Sequence, residues 1–261
     1  MKRFLFLSFI ALASQTTVYA EQALNQQQIQ AVLDHQDRPA EDSKRDSARQ
    51  PAKVLAFTNV AEGDQVLDLF AGGGWYTELF SKAVGQSGKV YAQNDQVIWR
   101  FAEKGITQRT KNNRLNNVIR FDNMPIVDMN IPDESLDIVF VALNYHDLFF
   151  TDTTQDGKKV QLRDDIVDYK AALATIKKAL KKEGVFIIID HLATSGSGYQ
   201  AANTLHRIDP NIVKFQLNEA GFSLIEEAHY LRNPEDDLTK NVFAPETRGK
   251  TDRFIYKFSK K

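Results

Sequence analysis

The sequence predicts an α/β domain built on a mostly parallel, doubly wound sheet, and three observations carry that reading. Short apolar runs alternate with amphipathic ones along most of the chain. One run, LDIVFVAL at residues 136–143, is almost wholly apolar, as a strand covered on both faces must be. A glycine cluster, Ala71-Gly72-Gly73-Gly74, follows the first apolar run and opens a helix. Doubly wound sheets bind ligands at such strand C-termini.

The elements follow in order. Residues 21–50 form a polar leader, with a short helix and then a segment that hugs the surface; residues 51–261 form the domain. Pro51 suits the first turn of a helix whose apolar side is Val54, Leu55 and Phe57. Ala61-Glu62-Gly63-Asp64 is a turn. Residues 65–70 are the first strand. The helix after the glycines carries Leu79, Phe80 and Val84, and Gly85 closes it. Residues 89–93 are a strand, 97–104 a helix, 118–121 a strand and 136–143 the apolar strand. Ile166, Tyr169, Leu173, Ile176 and Leu180 step by three and four, which predicts an amphipathic helix ended by Lys181, Lys182 and Gly184. Residues 185–190 are a fifth strand. Asp209-Pro210 reads as N-cap and first turn of a helix that stops at Gly221. Residues 222–231 and 253–258 are the last two strands, for seven in all.

Composition narrows the function. Of 261 residues, 43% are hydrophobic and 26% charged, which excludes disorder and coiled coil. Lys and Arg number 33 against 34 Asp and Glu, so no basic excess exists to hold nucleic acid. With no cysteine, disulfides, thiolate metal sites and thiol catalysis are excluded. Residues 1–20 begin with Lys2 and Arg3, continue with an apolar run from Phe4 to Ala13 and end in Val18-Tyr19-Ala20. This is the pattern of a cleaved signal peptide. It predicts a periplasmic or secreted chain with no stable membrane insertion, carrying 31 positive and 34 negative residues after cleavage.

In the loop VLDLFAGGG, residues 66–74, Asp68 sits at the end of the first strand. The spacing G-x-G-x-x-G of a dinucleotide site is absent, which disfavours a nucleotide-dependent oxidoreductase. A carboxylate here suits a ligand with an ammonium group better than a pyrophosphate. At this point the chain resembles the class I S-adenosylmethionine-dependent methyltransferases, whose first motif is roughly V-L-D-x-G-x-G-x-G; Phe70 stands at the first glycine. It is most similar to a bacterial group of exported, predicted methyltransferases. Their D-L-F-x-G-G-G-x-Y-T, N-x-H-D and R-G-x-T-D-R-F segments read here at residues 68–77, 144–147 and 248–254.

The resemblance implies a Rossmann-like, seven-stranded sheet with helices on both faces and the last strand antiparallel. It implies S-adenosyl-L-methionine as cofactor and a small-molecule methyl acceptor (EC 2.1.1.-). Asp68 and the backbone of Ala71, Gly72, Gly73 and Gly74 are implied to hold the amino acid end of the cofactor. Asn94 falls where the family normally has a ribose-binding acid, and Asp122 and Asn123 fall beside the adenine. Asn144 follows the fourth strand on the methyl-donor edge. His146 is the preferred general base, with Asp147 and Asn144 setting its tautomer and His191 in reserve. His206 and His229 read as structural or surface residues. No HExxH run or i,i+4 histidine pair points to a metal, and none is expected. Asn94 and the export signal also support an alternative, a non-catalytic periplasmic binding protein on the same fold. The polar stretch at residues 232–252 is long enough to be either a lid or a solvated insertion.

Overall fold

The computed structural model describes residues 22–261. The signal-peptide reading of residues 1–20 lies outside the described residues. The described residues open with three short helices, α1 (Gln26–Leu33), α2 (Ala40–Ser43) and α3 (Asp46–Arg49), and then α4 (Pro51–Thr58). Strand β1 (Gln65–Leu69), helix α5 (Trp75–Val84), β2 (Lys89–Asn94), α6 (Gln96–Thr110), β3 (Val118–Asp122) and β4 (Leu136–Ala142) follow. A hairpin, β5 (Asp152–Gln155) and β6 (Lys158–Gln161), then precedes α7 (Tyr169–Ala179) and β7 (Leu180–His191). The chain ends with α8 (Gln200–Leu205), α9 (Pro210–Glu219), β8 (Phe222–Ala228) and β9 (Arg253–Lys260).

The seven-stranded sheet runs in the order β3-β2-β1-β4-β7-β9-β8. Pairs from β3 through β7 are parallel, and β9 is antiparallel to both neighbours. The strand count, the mostly parallel order and the antiparallel last strand are as expected. Side chains alternate across the sheet and build two apolar layers. Leu67, Leu69, Val139 and Val141 pack with α7, α9 and with Ile98 and Ala102 of α6. Val66, Ile138 and Phe140 face the other way, against α1, α4 and α5.

Several boundaries move, each for a local reason. Helix α7 begins at Tyr169 because the Asp168 carboxylate caps it, accepting from the Ala171 N–H at 3.0 Å. Ile166 is therefore outside the helix and 40% exposed. Leu180 pairs with Leu136 as the first residue of β7, so Lys181, Lys182 and Gly184 belong to a strand rather than to a helix end. Helix α6 runs through Gly105 to Thr110, beyond the expected residue 104. Strand β8 stops at Ala228. The hairpin turns at Asp156-Gly157, both with positive φ, the usual requirement of a two-residue turn. No expectation covers it or α8. The segment 232–252 is docked through Val242, Thr247, Thr251 and Asp252, which are buried, while most of its other residues are exposed.

Candidate functional site

The glycine loop is shaped by backbone conformation. Phe70, Gly72 and Gly74 have φ of 51°, 58° and 81°. These are the three glycine positions of the G-x-G-x-G pattern, and each is left-handed, where only glycine sits without steric cost. Phe70 accepts that cost with its ring 2% exposed in the core. A Cβ at Gly72 would meet nothing within 4 Å, so the loop leaves open space there. Behind it, Gly73 lies against Gly105 of α6, and a Cβ at Gly105 would stand 3.0 Å from the Gly73 Cα.

That open space belongs to a cavity of about 260 Å³ lined by Asp68, Arg45, Arg49, Tyr76 and Asn144, among others. Asp68 accepts a 2.5 Å hydrogen bond from the Thr77 hydroxyl and is 2% exposed. Burial pushes its carboxyl up to about 7, against the pull of Thr77, Arg49 and Arg109. Arg49 stacks over Trp75 at 4.7 Å and Tyr76 at 5.6 Å. Its guanidinium makes no ion pair or hydrogen bond among the described residues, and burial lowers its pKa. Arg49 comes from the polar leader, which is thus a wall of the site. The leader is locked there by Asp42, which pairs with Arg109 of α6 at 2.7 Å and accepts from the Trp75 indole through its carbonyl. Arg109 also holds the Gly73 carbonyl and the fully buried Glu78. No sequence pattern marks Arg49, Asp42 or Arg109 for this place.

A second cavity, of about 420 Å³, opens at the ends of β2 and β3. Asp95, Asn123, Ile126 and Arg163 line it. Asp95 caps α6, accepting from Val97 and Ile98, and pairs with Arg163 at 3.0 Å. Asn94 is fully buried. Its Oδ1 accepts from the Gly72 N–H at 2.8 Å and its Nδ2 donates to the Gly72 carbonyl at 3.2 Å. The amide is thereby committed to bracing the loop. Asp122 turns outward into a bidentate pair with Arg120 and lines neither cavity.

The third group lies at the ends of β4 and β7. His146 follows β4 in a short 3₁₀ stretch, Tyr145–Phe149, and is 2% exposed. Its Nδ1 is 2.9 Å from Asp190 Oδ1, and its N–H donates to Asp190 Oδ2 at 2.8 Å. Burial alone would lower this imidazole, but Asp190 and Asp147 raise it to about 9. Burial raises the Asp147 carboxyl to about 6. Asn144 plays no part in the His146 tautomer; its Nδ2 donates to the Phe70 carbonyl at 2.9 Å. His191 turns away from the Asp190 carboxylate and sits 2.7 Å from Thr251 Oγ1, in the third family-like segment. Burial and the nearby His146 lower its pKa. His206, expected to lie apart, stacks edge-on to His146 at 5.4 Å. The end of α8 delivers it, and no sequence spacing relates it to residue 146.

The structure thus gathers Asp68, Ala71, Gly72, Gly73 and Asn144 at one cavity and Asn123 at another, while Gly74 lies outside both, against Ile106 and Arg109. It brings His146, Asp147 and His191 together with Asp190 and His206. No helix among the described residues is long and apolar enough to cross a membrane.

No family model matches the sequence, and no curated protein matches it. Solved structures do. A SAM-dependent methyltransferase from Aquifex aeolicus is 19% identical with a TM-score of 0.53, covering 90% of this chain and 98% of its own. A chain of the Haloferax volcanii complex containing the Trm112 methyltransferase activator gives 14% and 0.55, covering 91% and 99%. An arsenic(III) S-adenosylmethionine methyltransferase from Chlamydomonas reinhardtii gives 15% and 0.52, covering 88% and 72%. At these identities the likeness shows the fold: a Rossmann-like, seven-stranded sheet shared with methyltransferases.

Proposed function

We propose that this chain is an S-adenosylmethionine-dependent methyltransferase acting on a small-molecule acceptor, exported and cleaved after Ala20. One observation carries the reading: Asp68 and Arg49, a carboxylate and a guanidinium with no ion pair among the described residues, line the same cavity beside the open Gly72. That pair is complementary to the ammonium and carboxylate of an α-amino acid. Ala71, Gly72 and Gly73 present backbone to it, and Asn123 and Asp95 offer polar atoms to an adenosine at the second cavity. When bound, the cofactor supplies an electrophilic methyl group on a sulfonium.

The chain's own contribution is chiefly placement, since methyl transfer is an in-line displacement whose leaving group needs no acid. Asn144, held by the Phe70 carbonyl, sits on the edge where an acceptor would approach. A protic acceptor needs a base within reach. His191 is partly exposed and held by Thr251, whereas His146 is enclosed and tied to Asp190. We therefore assign the base role to His191 and a positioning role to His146.

One observation favours the second reading, a binding protein without turnover: Asn94, which stands where the family normally has its ribose-binding acid, spends its amide on Gly72. Calorimetry on the mature protein with S-adenosylmethionine, its demethylated product and NAD tests the binding step. The first two should bind and NAD should not. Asp68→Ala and Arg49→Ala should each weaken binding by ~1–3 kcal/mol by stranding a charged ligand group. Equal binding by wild type and both variants would overturn the assignment. Turnover in an acceptor screen then separates enzyme from binding protein.

A further inference from the structure

We infer that His146, Asp147 and His206 form a site for one divalent first-row transition-metal ion, with zinc(II) the best match to the donor set. One donor atom from each of the three residues lies within 4.8 Å of the others. Asp147 Oδ1 is 3.5 Å from His146 Nε2 and 3.9 Å from His206 Nδ1. Donors around a tetrahedral zinc with ~2.1 Å bonds stand about 3.4 Å apart, so small side-chain rotations close the set. Two imidazoles and a carboxylate, with no thiolate, suit zinc and its neighbours rather than magnesium or calcium.

Two further features point to an ion. Behind His146, the fully buried Asp190 faces Nδ1 at 2.9 and 3.1 Å, so Nδ1 keeps a proton and an ion binding at Nε2 would displace the proton there, turning that lone pair toward Asp147. A carboxylate behind a histidine in this way is the usual support of a metal-bound imidazole. In front, the Asp147 carboxylate is 8% exposed, accepts no hydrogen bond from any described residue, and has as its nearest ionic partners the same two imidazoles, at 3.5 and 3.9 Å. A buried carboxylate is costly unless it is paired or coordinates a cation. His206 is held in orientation by Phe150 at 4.5 Å and Phe243 at 4.8 Å between ring centroids.

Three protein donors leave a fourth position for water or an acceptor oxygen. The ion would also join α8 to the end of β4, two elements far apart in sequence. Neither consequence depends on the proposed cofactor.

The test is a cobalt(II) titration of the chelator-stripped mature chain, without cofactor. Visible d–d absorption should rise to saturation at one ion per chain and fall when zinc is added. His206→Ala and Asp147→Asn should abolish it while circular dichroism shows a folded protein. If His206→Ala fails to fold, His206→Gln gives the same reading. Asp190→Asn should weaken affinity ~10–100-fold. His229→Ala, an exposed histidine elsewhere, should change nothing. Absence of stoichiometric binding by the folded wild type would overturn the proposal, as would undiminished binding by folded His206→Ala or His206→Gln. Failure of S-adenosylmethionine to bind would not bear on it.

Discussion

Burial pushes the Asp68 carboxyl up to about 7, and in the proposed function this group holds a cation. The two facts together give a pH signature. Between its unfolded value near 3.8 and its folded value near 7, the folded state binds more protons than the unfolded one. Stability from this group therefore falls as pH rises through that window, by about 4 kcal/mol at most, and levels off above it. Urea unfolding at pH 5 and pH 8 should show the loss in wild type and not in Asp68→Asn. Ligand binding should run the other way. An ammonium group is held by the ionised carboxylate, so affinity should rise by up to about tenfold per pH unit below 7 and then flatten. A binding isotherm that ignores pH across this range would separate Asp68 from the ligand. Phe70 shows the other residue-scale lesson. The motif was legible despite it, because the backbone keeps a left-handed turn even where the side chain is wrong for one.

At the scale of elements, the segment between β8 and β9 is fastened by one buried ion pair. Arg207 is fully buried, donates to Asp236 at 2.7 and 3.0 Å, and also holds the carbonyls of Leu192 and Lys240. Asp236→Ala would leave the guanidinium buried without its counter-charge, a loss of about 3–5 kcal/mol. Thermal or denaturant unfolding should register it, and a loss below 1 kcal/mol would show that the segment is only loosely docked. Such contacts explain what sequence reasoning could reach. The strands and α5, α7 and α9 were readable because their apolar periodicity and caps are local, as at Asp209-Pro210. The boundary at Leu180 was not, because pairing with Leu136 overrode a continuous helical pattern. The hairpin carries a local Asp156-Gly157 turn signal, but its two four-residue strands lack the apolar alternation that marks the sheet strands. At the site, Asp68 and Gly72 were legible from one loop. Arg49, Asp190's grip on His146 and His206 came from elements that only the tertiary fold brings together.

Over the whole molecule, the two cavities described above and the histidine group lie at the C-terminal ends of the parallel strands. The leader closes over the first cavity and the 232–252 segment over the histidines, so the two ends of the domain share one face. The sheet order has a consequence for how the chain is made. β9 lies between β7 and β8, and β8 pairs with nothing else. Its partner is the last strand of the chain, ending at Lys260. Truncation before Arg253 should therefore remove the cooperative thermal transition altogether rather than shave its midpoint, and a sharp melt of the shortened chain would refute this. During synthesis the same geometry withholds the finished seven-stranded sheet until β9, the last of its strands in chain order, has been made.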